Sequence, residues 1–320
     1  MGTGPFAVPM LRALLRSRHE VVAVVTRPAH APVGRRPPPN PIRDAALAAG
    51  LRILDPERIN DSAATAAVAS LAPDLLVVCD YGQILAPAAL AVAPLGGINL
   101  HGSLLPRHRG AAPVQWAILA GDAVTGVSVI QMTPALDAGR VIIARETPIG
   151  PDETAAELER RLADIGAAAV PEAIDLLAAA GPGGGVGVPQ DATLATKAPR
   201  LTKADGLVDW TQPAVRIARM RRALEPWPRT ASFLREAADR PPVRVVLEEV
   251  AVGDALAPGG ADILPGTIVS ADASGLVVSC GAGTRLVVRR LVPEGRRSMS
   301  AAEFLRGHGL CAAARFGGPA

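Results

Sequence analysis

Residues 97–110 read GINLHGSLLPRHRG, and this stretch decides the fold. Gly97-Ile98-Asn99-Leu100 is a short apolar run that passes into a turn rich in Gly, Pro and Arg, as a strand does when it leaves a sheet. In extended geometry Asn99 and His101, two apart, face the same side. Strand C-termini are where open α/β sheets place their ligands. Working outward, Val21–Val25, Leu75–Val78, Val127–Ile130 and Val141–Ile143 are further β-branched or aliphatic runs. Ala/Leu-rich segments at 41–50, 61–72 and 113–120 separate them, and a long helix is predicted from about 154 to 180. Thr154 and Glu157 fit a capping box for that helix. Strands alternating with helices predict an α/β domain with a parallel-rich sheet.

An amide donor beside an imidazole at a strand end stabilises an oxyanion and moves a proton. Asn-x-His alone is a weak signal. Leu136-Asp137-Ala138-Gly139 falls in a loop between two predicted strands. From there a carboxylate reaching the histidine sets its charge and tautomer, although an isolated Asp is equally a turn residue. No GxSxG is present, and Cys79 ends an apolar strand, so no acyl-enzyme nucleophile is indicated.

The pattern changes after residue 180. Gly181–Pro189 (GPGGGVGVP) reads as a flexible linker. A helix is predicted at 213–224, followed by short runs at 231–235, 243–251, 266–270, 275–280 and 285–292. Such spacing predicts a small β-barrel or sandwich. Ser300 and Glu303 make a second capping box before a short final helix.

The bulk composition agrees with two globular domains. The chain has 320 residues, of which 49 % are hydrophobic, too many for a disordered chain. No apolar run approaches the roughly 20 residues needed to span a bilayer, and no signal peptide is visible. Cys79, Cys280 and Cys311 form no CxxC and no ligand spacing, against a disulfide framework or a zinc site. A cytoplasmic location is expected. Residues 200–320 carry a balance of +5 and the rest −2, compatible with an anionic partner of the second half.

Other motifs stay open at this level. Gly2-x-Gly4-x-x-Ala7 loosely fits a dinucleotide fingerprint, but no strand precedes it and no acid follows the run at 22–27, which favours a plain strand-to-helix turn. Residues 27–43 hold Arg27, Arg35, Arg36 and Arg43 without an acid, either a solvated loop or a phosphate-contacting one. Asp205-Gly206-x-x-Asp209-Trp210 and Pro226-Trp227-Pro228 read as structural anchors. Arg216, Arg219 and Arg222 form a basic helix face.

Taken together, residues 98–139 (INLHGSLLPRHRGAAPVQWAILAGDAVTGVSVIQMTPALDAG) closely resemble the signature of the methionyl-tRNA formyltransferase family. The resemblance extends to GTGPFAVP at 2–9, VVCDYGQIL at 77–85, APRLTKADGLVDW at 198–210, EPWP at 225–228, PGTI at 265–268 and LVPEGRRSMSAAEFLRG at 291–307. The Asn-x-His…Asp set is shared with other enzymes that use 10-formyltetrahydrofolate, sugar-nucleotide formyltransferases among them. The C-terminal pattern and the basic loop favour the tRNA enzyme.

The resemblance implies a Rossmann-like formyltransferase domain over 1–182, a linker over 183–203 and an OB-like β-barrel over 204–320 that binds tRNA. It implies Asn99, His101 and Asp137 as the catalytic set. Ser103, Leu104, Leu105 and Pro106, with Tyr81, Gly82, Gln83, Ile84 and Leu85, are implied for the folate. Arg35, Arg36, Lys203, Arg216 and Arg219 are expected to meet the tRNA. The implied formyl donor is 10-formyltetrahydrofolate and the acceptor is initiator methionyl-tRNA, with no metal and no membrane; a monomer is expected. Asp80 stands where the family often has a small residue, and His108 where it often has an aromatic. The family has a strand before GTGPFA where this chain has only Met1, so a natural chain longer by about six to ten residues is expected.

Overall fold

The computed structural model describes residues 1–29, 39–237, 241–254, 263–310 and 314–318. Helix α1 (Ala7–Leu15) buries Ala7, Met10, Leu11 and Leu14, the i, i+3, i+4, i+7 spacing of one helix face. It is followed by β1 (Val24–Val25), α2 (Pro41–Ala48), β2 (Ile53–Leu54), α3 (Ser62–Ala69), β3 (Leu76–Val78) and α4 (Pro87–Leu90). Pro41 opens α2, and the Asn40 side chain accepts from the Arg43 amide at 3.1 Å, both N-terminal signals. Then come β4 (Gly97–His101), β5 (Arg109–Gly110), α5 (Pro113–Ala120), β6 (Val124–Gln131), β7 (Val141–Pro148), α6 (Ala155–Ala180) and β8 (Lys197–Ala198).

The chain divides into two units. The first takes Met1–Val114, Ala123–Ile149 and Glu157–Pro199. Within it β3 pairs with β4 in parallel, β1 with β2 in parallel, and β5 with β8 in parallel. Strand β6 runs antiparallel to both β4 and β7. The connection 132–140 is too short for a crossover, so β6 and β7 close as a hairpin. Met1 and Gly2 run between β1 and β3: Met1 donates to the Val77 carbonyl at 2.6 Å, the Cys79 amide returns to Met1 O at 3.0 Å, and Gly2 donates to Val25 O at 3.0 Å. Val25, Leu76, Val78, Tyr81, Leu85 and Ala89 share one buried cluster here.

The later part of the Gly181–Pro189 stretch is bonded to the hairpin. Val188 pairs with Val141, and Arg140 donates to the carbonyls of Val186 and Gly187. Residues 186–190 thus lie along the β6–β7 hairpin as a strap.

The second unit takes Gln115–Asp122, Gly150–Ala156 and Arg200–Ala320. It contains α7 (Ala214–Ala223), β9 (Ala231–Arg235), β10 (Val243–Gly253), β11 (Ile268–Asp272), β12 (Gly275–Ser279), β13 (Arg285–Pro293), β14 (Met299–Ser300), α8 (Ala301–Gly307) and β15 (Arg315–Gly317). The strand order is β11-β12-β13-β10-β9-β15, antiparallel throughout, with β14 on β13. The sheet curls until its edges meet at a Thr267–Arg315 bridge. Trp210, Ile217, Leu234, Leu247, Leu286, Phe304 and Phe316 fill it, with Trp210 stacked on Phe316 at 5.2 Å and donating to Ser232 Oγ at 2.9 Å. The Ser300/Glu303 capping box at α8 is present in both directions. Trp227, read with Trp210 as an anchor, is 52 % exposed.

Candidate active site

Strand β4 carries Ile98 and Leu100 into the core and turns Asn99 and His101 the other way. In register, Asn99 lies beside Val78 of β3 and Ile130 of β6, and His101 beside Ser128 of β6. The turn after β4 is built from its own side chains. Ser103 Oγ donates to Arg107 O at 2.7 Å, Ser128 Oγ donates to Ser103 O at 2.8 Å, and the Leu105 amide donates to Ser128 Oγ at 3.0 Å. The Leu105–Pro106 bond is cis. This turn brings the His108 carbonyl to 2.9 Å from His101 Nε2.

The β6–β7 loop supplies the third member. Asp137 sits at φ +49°, a left-handed conformation that Asp tolerates better than most residues. A Cβ at Gly139 would fall on the Gln131 carbonyl oxygen, so the hairpin closes only because residue 139 has no side chain. The Asp137 carboxylate accepts from Asn99 Nδ2 at 3.5 Å through one oxygen. Through the other it accepts from the Gly110 amide at 2.9 Å and stands 3.8 Å from His101 Nδ1. Both side chains are buried, 6 % exposed for His101 and 9 % for Asp137.

Both ring nitrogens of His101 therefore face oxygen acceptors. Nε2 carries the hydrogen that bonds the His108 carbonyl, while Nδ1 stands beside the carboxylate at 3.8 Å, beyond hydrogen-bond distance. The constellation thus pairs an amide and an imidazole with one carboxylate between them. Donors of this kind stabilise an oxyanion.

Gln190 completes the frame. Its Nε2 donates to the carbonyls of Asp137 at 2.8 Å and Gly139 at 2.7 Å. Its Oε1 accepts from Arg109 Nε at 3.1 Å and Nη2 at 2.6 Å. The sequence reading missed Gln190 because GPGGG before it signals flexibility. The alternation of Val186 and Val188 was the signal of an extended, paired segment.

Of the residues expected at the folate, Ser103 is buried and its hydroxyl is used within the turn, while Leu104, Leu105 and Pro106 are half-buried. Tyr81 and Leu85 point into the core and Ile84 is 71 % exposed. Gly82 takes φ +75°. Gln83 accepts from the Ile59 amide and donates to Glu57 O, fixing the loop from beneath. The Tyr81 hydroxyl finds no partner among the described residues, and burial pushes it up to about 12 despite Arg27. Cys79 is fully buried, and burial raises its thiol far above the usual range.

Asp80 takes φ +47° at the end of β3 and reaches solvent, yet its carboxyl group packs over Gly4, where a Cβ would collide with Oδ2. This loss of water, with Glu159 adding in the same direction, pushes it up to about 6. A raised carboxylate favours the protonated folded state. The cost of ionising it in the folded state grows as pH rises through the window from the ordinary value near 4 to about 6, persists above it, and vanishes below. Asp80→Asn is expected to stabilise the fold at pH 7.5 by about 1 kcal/mol once solvent screening is allowed for, read as a raised melting temperature. The gain should disappear at pH 3.5; a gain equal at both pH values would contradict the linkage.

Among the residues expected at the tRNA, Arg35 and Arg36 lie outside the described residues. Lys203 and Arg216 are exposed, and Arg219 lies over Gly121, where any Cβ would strike its guanidinium. Arg222, on the same helix, donates to Glu153 O at 2.9 Å. No helix among the described residues is long and apolar enough to cross a membrane.

Residues 1–174 match the formyl transferase family and residues 200–309 match the formyl transferase C-terminal domain, so the chain is a two-domain formyltransferase. It is 46 % identical to a methionyl-tRNA formyltransferase of Rhodopirellula baltica, over 98 % of this chain and 94 % of the relative. It is 43 % identical to one of Anaeromyxobacter dehalogenans, over 96 % and 95 %. The fold is also that of WlaRD, a sugar 3N-formyltransferase solved with dTDP and 5-N-formyl-THF, with a TM-score of 0.63 and 13 % identity over 92 % of this chain and 97 % of that one. The chain belongs to the methionyl-tRNA formyltransferase family.

Proposed function

We propose that Asn99, His101 and Asp137 carry the transfer of the formyl group of 10-formyltetrahydrofolate to the α-amine of initiator methionyl-tRNA. The product is N-formylmethionyl-tRNA, used in translation initiation. The observation that supports this assignment is the shared carboxylate: Asp137 meets both Asn99 and His101. The amine nitrogen bonds to the formyl carbon and the carbonyl oxygen takes the negative charge. The Asn99 amide donates to that oxygen, and so does His101 Nδ1–H, which stands 3.8 Å from the carboxylate and outside hydrogen-bond reach of it. The C–N bond to the folate then breaks, the amine gives up a proton, and the folate nitrogen takes one. Asp137 holds the ring charged and hands protons on through solvent.

Tyr81–Leu85 and Ser103–Pro106 are assigned to the folate, supported by the resemblance and by their place at the ends of β3 and β4. Lys203, Arg216 and Arg219 are assigned to the tRNA with Arg35 and Arg36. We read residues 1–182 as the catalytic domain, 183–203 as its connection, and 204–320 as an OB-like tRNA-binding barrel, in a monomeric, metal-independent enzyme of the cytoplasm. The curled antiparallel sheet supports the barrel reading.

The test is direct. The purified protein, incubated with 10-formyltetrahydrofolate and initiator methionyl-tRNA, is expected to yield N-formylmethionine. Turnover of an amino-sugar nucleotide in place of the tRNA would overturn the assignment. The apparent tRNA affinity is expected to fall linearly in log–log form as salt rises, with slope about −0.7 to −0.9 per phosphate contact. Lys203→Ala should reduce that slope by about one; an unchanged slope removes Lys203 from the contact set.

A further inference from the structure

The catalytic roles assigned to His101 and Asp137 are the ground for a further residue assignment. Three consecutive residues, His108 and the two of β5, touch three different parts of the site. The His108 carbonyl faces His101 Nε2 at 2.9 Å, the Arg109 guanidinium holds Gln190, and the Gly110 amide holds the Asp137 carboxylate at 2.9 Å. Gln190 returns to the backbone of Asp137 itself and to Gly139, at 2.8 and 2.7 Å. The amide has two N–H donors and an oxygen that accepts twice, and all four are used. The strap that carries Gln190 is fixed to the same hairpin by Arg140 and by the Val141–Val188 pair. The loop it grips has a non-glycine residue at φ +49°, a conformation that persists only where the surroundings impose it.

We infer that Gln190 is a positioning residue: with Arg109 it forms a clamp that holds Asp137 at the distance from His101 and Asn99 that the reaction requires. The side chain does not touch the reacting atoms. It acts through the backbone of the aspartate, and a displacement of about 1 Å at such a group costs about 100-fold in rate.

The decisive variant is Gln190→Glu, which keeps the shape and the Arg109 partner but presents an oxygen to two carbonyls. Gln190→Ala removes both sides of the clamp. Each is expected to lower kcat about 10- to 100-fold, with KM for methionyl-tRNA and for 10-formyltetrahydrofolate within about threefold of the starting protein. In an Asp137→Ala background either change should add less than about threefold, because residues acting through one another are non-additive. Circular dichroism checks folding of every variant; should the alanine form fail to fold, the glutamate form carries the test. A folded Gln190→Glu with full kcat overturns the clamp, as do losses that multiply in the double variant. An Asp137→Ala protein at the starting rate overturns instead the catalytic role on which the clamp rests.

Discussion

Replacing His101 by alanine lowers the rate of formyl transfer about 100- to 1,000-fold, a loss of roughly 2.7–4 kcal/mol of transition-state stabilisation. The ring faces a carboxylate on one edge and a carbonyl on the other, so its removal deletes the charge proposed to meet the oxyanion and leaves Asp137 without its neighbour. Because that charge matters most when the carbonyl oxygen becomes negative, the loss falls on kcat and leaves the KM values nearly unchanged. Single-turnover formylation of methionyl-tRNA measures it. A His101→Ala protein within tenfold of the starting rate would sink the assignment. Asn99→Ala removes one of two donors to the same oxygen and is expected to cost a smaller factor, measured in the same assay.

Phe304→Ala in the second unit costs about 3–5 kcal/mol of stability. Phe304 is 1 % exposed, sits on α8, and belongs to the cluster that fills the curled sheet. Its ring also stacks on His308 at 4.1 Å, so alanine leaves a void bounded by residues already held by other strands. Relaxation into the void is limited in a closed sheet, which places the cost in the upper part of the range for buried side chains. Chemical denaturation followed by circular dichroism reads the change. A loss under 1 kcal/mol would mean that α8 repacks freely. Since His101 and Asp137 belong to the other unit, the variant below its melting point should retain its formyl-transfer chemistry.

Local pattern carried much of this architecture and part of the site. Asn99 and His101 share a side because strand alternation is a local property, and the capping box at Ser300 holds because its two partners are three residues apart. The meeting of Asp137 with His101 is of another kind. It depends on the β4–β6 register and on a left-handed residue in the hairpin, neither of which spacing alone dictates; the loop position offered Asp137 as a partner or a turn residue, and the family resemblance chose between them. Strand β1 is shorter than its β-branched run because its partner β2 offers only Ile53 and Leu54. Gln190 was illegible for the opposite reason. Its neighbourhood is rich in glycine, and glycine reads as freedom even where a long-range partner removes it. The basic loop stays a reading of sequence, since Arg35 and Arg36 fall outside the described residues.

The strap along the hairpin bears on the order in which the enzyme comes into being. Asn99, His101 and Asp137 all leave the ribosome well before Gln190, with the whole of α6 synthesised in between. A nascent chain that has released only the first 182 residues holds Asn99, His101 and Asp137 but lacks the Gln190 amide that grips the aspartate's backbone. Long-range pairings form late because loop closure precedes their reward, so the frame around Asp137 closes only after the segment that follows α6 has been made.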